Sequence, residues 1–331
     1  MLRPDLGQAA PRLLPGVAPQ ASLAGELGVV AMSAMVIGSV PALPIVLAWL
    51  FWRAWRAEEK DRRRAWTIFA GACSVFLYLV LVPTIRRPKL MQTTPWRWWL
   101  EYMRVRVAYR TGEPPPLGQY LYLLLPHGLY PFSGACACLS RMVDVFPNTR
   151  MAVAPVGLKV PLIRNLMAWI GSVGADKPSM SQAFKRGDSV CLFPGGIGEM
   201  MRTDSKVERL LLRERKGFVR VALEHGISIV PIFVFGQSET FLHTRLPSFV
   251  ERLSRRLGVS IIFPYGRWGL LVPRKVPLLY AVGAPIAATS AGLTEEARVD
   301  DIHGKVVQAV HELYNFYKGT YGWSERTLSI E

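Results

Sequence analysis

The stretch Tyr120-Leu121-Tyr122-Leu123-Leu124-Leu125-Pro126-His127-Gly128 sets the organisation of the chain. Residues 120–125 read as a β-strand. Pro126 ends it, because proline has no N–H to give to a ladder. Gly128 lets the backbone turn sharply. His127 is left at the mouth of the strand, where the chain changes direction. A second stretch, Leu192-Phe193-Pro194-Gly195-Gly196-Ile197-Gly198-Glu199, repeats the design: apolar strand, proline, glycines, then one ionisable group. Two such strand ends in one α/β domain can face a common crevice.

Outward from this point, strands and helices alternate. After Tyr120–Leu125 a helix is expected over 133–145, a strand over 150–154 and an amphipathic helix over 160–170. A strand over 189–193 follows, then a helix over 216–225 that Gly226 stops. Residues 227–235 (ISIVPIFVF) read as a strong strand, and 277–282 as another. The last helix is expected over 298–318. Val299, Ile302, Val306, Val310, Leu313 and Tyr317 give it an apolar stripe, and Gly319 its stop. This order argues for an α/β sandwich with a parallel or mixed sheet.

Upstream, residues 112–118 (GEPPPLG) break the chain and mark a boundary. Residues 95–109 mix Trp98, Trp99, Tyr102, Val105 and Tyr109 with arginines at helical spacing, the pattern of an amphipathic helix at a lipid headgroup layer. Leu27 to Trp52 holds no charged residue over 26 positions, and Ala65 to Ile85 none over 21. About 20 apolar residues cross a bilayer as a helix. Pro41 and Pro44 interrupt the first segment, so a kinked or re-entrant path is as open as a span. Residues 1–26 read as poorly ordered. The expected organisation is therefore a loose N-terminus (1–26), a transmembrane or re-entrant hydrophobic hairpin (27–85), an interfacial segment with linker (86–118) and an α/β domain (119–331).

The formal net charge is +16, half of the residues are hydrophobic, and there are ten tryptophans. A basic, apolar, tryptophan-rich chain suits an anionic membrane surface. Nucleic acid is the rival partner for such charge, but no helix-turn-helix, zinc-finger or RNP-like pattern is present. Cys73, Cys136, Cys138 and Cys191 form neither a disulfide framework nor a zinc pattern and read as reduced packing residues. The five histidines, His127, His225, His243, His303 and His311, are scattered, and no metal is implied. No G-x-S-x-G elbow and no phosphate-binding P-loop is present.

Five blocks in order resemble the type-2 diacylglycerol acyltransferase family, which includes monoacylglycerol and wax-alcohol acyltransferases. Leu125-Pro126-His127-Gly128 is similar to its H-P-H-G, with Leu125 in place of the first histidine. Pro194 to Glu199 resembles G-G-x-x-E. Arg213-Glu214-Arg215-Lys216-Gly217-Phe218 resembles R-x-R-K-G-F. Residues 230–236 resemble V-P-x-x-x-F-G, followed by Gln237 where the family usually has Glu. Val282-Gly283-Ala284-Pro285-Ile286 resembles V-G-x-P-I. Distant glycerolipid relatives carry an Asp five residues after the histidine, where Phe132 stands here, and a cationic F-P-E-G-T-R block, where Phe193-Pro194 leads only into glycines.

The resemblance implies a membrane-anchored, glycerolipid-acyltransferase-like α/β domain and acyl transfer from acyl-CoA to a neutral acceptor, diacylglycerol foremost. Monoacylglycerol, a wax alcohol, or a catalytically altered lipid-binding member are the alternatives. It implies no cofactor beyond the acyl-CoA co-substrate. It further implies the bilayer as partner, a homo-oligomer as an option, and an endoplasmic-reticulum or lipid-droplet membrane with the catalytic domain facing the cytosol. Within it, His127 is the expected general base, since imidazole titrates near neutrality. Glu199 either orients the ring or is a first-turn carboxylate held by the helix dipole. Gly128, Gly195 and Gly196 are expected to bring N–H groups to the oxyanion. Arg213, Arg215, Lys216 and Arg220 either hold the CoA phosphates or form a solvated or lipid-facing basic surface.

Overall fold

The computed structural model describes residues 10–200, 207–244, 263–289 and 294–331, with 249, 250, 252 and 256 between them. Its strands are β1 (Arg12–Leu13), β2 (Arg106–Tyr109), β3 (Tyr120–Leu125), β4 (Thr149–Val153), β5 (Val173–Gly174) and β6 (Ser189–Leu192), then β7 (Val207–Leu210), β8 (Ser228–Phe235), β9 (Leu242–His243), β10 (Pro264–Tyr265), β11 (Leu279–Val282) and β12 (Thr327–Ile330). Eight of them form one sheet in the order β1-β2-β11-β8-β3-β6-β4-β5. The run from β8 to β5 is parallel, while β11 is antiparallel to β8 and β1 to β2. β9 pairs with β10, and β12 pairs parallel with β7.

Strand β3 lies at the centre, parallel to β8 on one side and β6 on the other, and all six of its residues are buried. Successive side chains of a strand point to opposite faces. Leu121, Leu123 and Leu125 accordingly join one core beneath the C-terminal helix Glu295–Tyr321, and Tyr120, Tyr122 and Leu124 join the other, with Cys136, Cys191 and Tyr280. This two-faced burial explains why the strand reads as an unbroken apolar run.

Several local expectations change. The last helix covers Glu295–Tyr321 and runs through Gly319. It ends at Gly322, whose φ of +94° supplies the left-handed cap. The helix expected over 133–145 is two short ones, Phe132–Ala137 and Met142–Val145, with Ser140 at φ +45° between them. The tryptophan–arginine segment is helical only over Thr94–Tyr102, where Trp99, Leu100, Glu101 and Tyr102 are buried. Arg104, at φ +44°, turns the chain into β2, which pairs with β11, so the sheet takes strands from before Gln119. β1, from within residues 1–26, adds its edge.

The uncharged segment 27–52 is divided between helices Leu23–Val36 and Ser39–Arg56, and the first is bent by 54° relative to Pro41–Arg56. The break falls at Gly38, where a side chain would stand 2.2 Å from the Ala34 carbonyl oxygen, ahead of both prolines. Leu23–Val36 lies on the domain: Trp98 fills the space a Cβ at Gly28 would need, and Glu26 pairs with Arg267 at 3.1 Å and with Lys275. Glu59–Leu81 is long and apolar enough to cross a membrane, and none of its residues is buried. It packs on Ser39–Arg56 through Phe51, whose ring meets Trp66 and Phe69.

Candidate active site

Because β3 and β6 are parallel and adjacent, with Leu123 opposite Leu192, both end at the same edge of the sheet. β8 ends there too, with Phe233 opposite Leu125. Three chain reversals therefore meet: His127-Gly128 after β3, Pro194 to Glu199 after β6, and Gly236-Gln237 after β8. The Leu125–Pro126 peptide is cis, and Gly128 adopts a φ of +63°.

His127 and Glu199 are in direct contact, through the histidine's main chain. The His127 N–H donates to Glu199 Oε1 at 2.5 Å, and the Leu211 N–H donates to Oε2 at 3.1 Å. The imidazole Nδ1 lies 2.7 Å from the Gly128 carbonyl oxygen. A carbonyl only accepts, so Nδ1 carries the proton and the Nε2 lone pair is free to take another. The ring meets Phe193 edge to face at 5.4 Å. His127 is partly exposed, yet the dense protein around it desolvates the imidazolium and lowers its pKa below the ordinary value, while the Gly128 carbonyl pulls the other way. The ring is thus neutral near pH 7, the state a base must start from.

Glu199 is 1% exposed. Burial raises its pKa to about 7, against the lowering effect of the two N–H groups it accepts. Gly195 is what allows the carboxylate to sit there: a Cβ at 195 would stand 2.0 Å from Glu199 Oε2. Neither the Gly128 nor the Gly195 N–H meets an acceptor among the described residues. Gly196, at φ +55°, opens the short helix Gly196–Met200 that carries Glu199.

Gln237 holds the other side of the loop. It is wholly buried. Its Nε2 donates to the carbonyls of His127 (3.2 Å) and Tyr130 (2.5 Å), and its Oε1 accepts from the Ser133 N–H at 3.1 Å. A side chain at Gly128 would collide with it at 2.9 Å. Next to it, Ser238 donates to Glu208 at 2.5 Å, and Arg326 pairs with Glu208 and, at 2.7 Å, with Glu239. The sequence marked Gln237 only as a departure from a motif. Its part in the loop follows from β8 ending beside β3, a pairing of strands more than a hundred residues apart.

The four basic residues are placed differently from one another. Arg213 Nε donates to the Ile330 carbonyl at 2.8 Å. Lys216 pairs with Asp300 at 2.6 Å, and Arg220 with Glu296 at 3.2 Å, both on the C-terminal helix. Arg215 is exposed, and its charge is felt at Glu199, where it lowers the carboxyl pKa. The structure thus gathers His127, Gly128, Gly195, Gly196 and Glu199 at one edge and brings Arg215 within electrostatic reach.

The chain is similar to several known acyltransferases. The bovine (Bos taurus) 2-acylglycerol O-acyltransferase 1 is 27% identical over 71% of this chain and 76% of its own length. The human (Homo sapiens) acyl-CoA wax alcohol acyltransferase 1 is 28% identical over 70% and 75%, respectively. The diacylglycerol O-acyltransferase 1 of Schizosaccharomyces pombe is 27% identical over 70% and 72%. Among solved structures, the 1-acyl-sn-glycerophosphate acyltransferase of Thermotoga maritima superposes with a TM-score of 0.43 at 14% identity, covering 88% of this chain and 95% of that one. The diacylglycerol acyltransferase family description matches residues 63–330, from the apolar helix to the last strand, and the chain belongs to that family.

Proposed function

We propose that the protein, an acyltransferase of the neutral-glycerolipid kind by family, esterifies diacylglycerol with an acyl group from acyl-CoA, with His127 Nε2 as general base. The observation that carries this reading is the fixed tautomer: the Gly128 carbonyl holds the Nδ1 proton and leaves Nε2 unprotonated. The acceptor hydroxyl gives its proton to Nε2 as its oxygen attacks the thioester carbonyl. The tetrahedral oxyanion is met by the unpartnered N–H groups of Gly128 and Gly195. The C–S bond then breaks, and the CoA sulfur takes the proton back from the imidazolium. A base so placed contributes on the order of 10²–10⁴-fold, and each oxyanion donor a factor of about 10²–10³.

In this reading Glu199 is a positioning residue. It grips the main chain of His127, while the ring is oriented by Gly128. Arg215, exposed and near the site, suits an acyl-CoA phosphate better than Arg213, Lys216 and Arg220, which are held by the C-terminal strand and helix. The lack of a cation after Phe193-Pro194 favours a neutral acceptor over a phosphorylated one. Glu59–Leu81 and its partner helix, with the exposed Trp49, Trp52 and Trp55, anchor the protein in the endoplasmic-reticulum or lipid-droplet membrane.

Relatives named for 2-acylglycerol and for wax alcohol match as well as one named for diacylglycerol, so monoacylglycerol and long-chain alcohols are the second reading. The test is a membrane assay with one labelled acyl-CoA and four acceptors: diacylglycerol, monoacylglycerol, a long-chain alcohol and lysophosphatidate. Diacylglycerol should give the highest kcat/KM. Lysophosphatidate as best acceptor would overturn the neutral-acceptor reading.

A further inference from the structure

At the end of the sheet opposite His127, where β4 and β6 begin, the chain closes around a cavity of about 230 Å³. Met91, Phe146 and Trp169 give it apolar walls, and Arg86, Gln92 and Asn148 a polar rim. Arg150 lies beside Arg86, and Gly171 makes room for both guanidinium groups: a Cβ there would stand 2.8 Å from Arg150 Nη1 and 2.9 Å from Arg86 Nε. Asp188 balances Arg150 at 3.0 Å. Arg86 has no carboxylate within ion-pair distance among the described residues. Arg86 is exposed at the rim, yet the protein around it desolvates the guanidinium, and this, and then the Arg150 charge, lower its pKa, with Asp188 acting against them. Two cations thus share one carboxylate at the mouth of an amphipathic cavity.

The surroundings point to the occupant. Arg86 follows shortly after the apolar helix Glu59–Leu81. Arg164 Nη1 donates to the carbonyls of Leu79 (2.9 Å) and Val82 (3.0 Å), closing the end of that helix. The helix that carries Arg164, Ile163–Trp169, ends at the cavity wall, and its Trp169 carbonyl accepts from the Arg87 N–H at 3.0 Å. The cavity therefore lies where an apolar helix meets polar surroundings. A planar guanidinium fork matches phosphate oxygens, and the apolar wall suits the glycerol side of a headgroup. We propose that this cavity binds a phosphate-bearing group, with Arg86 as its principal cation, and that the group belongs to a membrane glycerophospholipid. The site is separate from the acyl-transfer edge.

The test uses full-length protein in detergent and titration calorimetry with three probes: dihexanoyl phosphatidate, inorganic phosphate and CoA. Wild type should bind the phosphatidate saturably at one site. Arg86→Gln should weaken it roughly tenfold or more, the scale of a lost charge-assisted hydrogen bond, with turnover on soluble acyl-CoA unchanged. Arg86→Lys keeps the charge and loses the fork, so it should weaken binding less, and it carries the comparison if glutamine at 86 impairs folding. Inorganic phosphate binding as well as phosphatidate would keep the anion site but assign it to free phosphate. Equal affinity in wild type and both variants, or no saturable binding of either phosphate probe, would overturn the proposal. So would loss of CoA binding together with turnover in Arg86→Gln, which would make the cavity part of the acyl-donor site.

Discussion

The side chain of Gln237 reaches the main chain of His127: its Nε2 donates to the His127 carbonyl at 3.2 Å and to the Tyr130 carbonyl at 2.5 Å. An amide does this at any pH, because it has two donors and one acceptor on one plane. A carboxylate in the same place would turn acceptor atoms toward two carbonyls.

Gln237→Glu should therefore be active only where the new carboxyl is protonated. Relative to wild type, its turnover should rise as pH falls from about 8 to about 6, since a buried carboxyl facing carbonyls is pushed toward its neutral form. Leaving the loop carbonyls without donors should cost roughly 1–3 kcal/mol of stability at high pH. A kcat profile parallel to that of wild type over this range would show that the amide does not control the loop.

Gly195→Ala should strike the site where Gly196→Ala strikes only the backbone. A methyl at 195 meets Glu199 Oε2 at 2.0 Å and Glu199 Cβ at 2.6 Å, so the whole side chain must move and release the His127 N–H. At Gly196 nothing lies within 4 Å, and only the φ of +55° resists, at about 1 kcal/mol. Turnover should fall by roughly 10²-fold for Gly195→Ala, the scale on which a misplaced catalytic group loses rate, and by far less for Gly196→Ala. Equal losses in the two variants would separate Glu199 from the mechanism.

Glu199 should leave a mark on stability as a function of pH. Its pKa is raised to about 7 in the folded protein, from an ordinary value near 4.3. Between those values the folded state holds a proton that the unfolded state has lost, so the contribution to stability is present at low pH and is lost as pH rises. At 1.36 kcal/mol per pKa unit, the span is on the order of 4 kcal/mol. Glu199→Gln does not titrate, so its Tm minus that of wild type should grow more positive from about pH 4.5 to about pH 7. A difference constant over that range would contradict the buried-acid description.

Much of this was legible in the chain. The β3, β6 and β8 runs and the stripe on the C-terminal helix are periodic and apolar, so burial decided them and the sequence shows it. Two strand ends carrying His127 and Glu199 could be brought to one edge by topology alone. What was hidden depends on long-range partners. β2 reads as the tail of an amphipathic helix until Val282 and its neighbours pair with it. The basic cluster reads equally as a phosphate site or a solvated surface, because the sequence does not show that Lys216 and Arg220 meet Asp300 and Glu296 on a helix some eighty residues later. The link from Glu199 to His127 was hidden for another reason: a residue name does not say whether a carboxylate will reach a ring or an N–H. Here the Gly128 carbonyl already occupies Nδ1, and Glu199 takes the main chain.

Turnover of His127→Ala decides whether His127 Nε2 is the proposed base. Variant and wild type are inserted in the same membranes at matched amounts and assayed with saturating acyl-CoA and diacylglycerol. A loss of roughly 10²–10⁴-fold in kcat is expected, the contribution of a positioned base, with Tm little changed because the imidazole's polar contact is to its neighbour Gly128. Near-normal turnover in folded, inserted His127→Ala protein would contradict it.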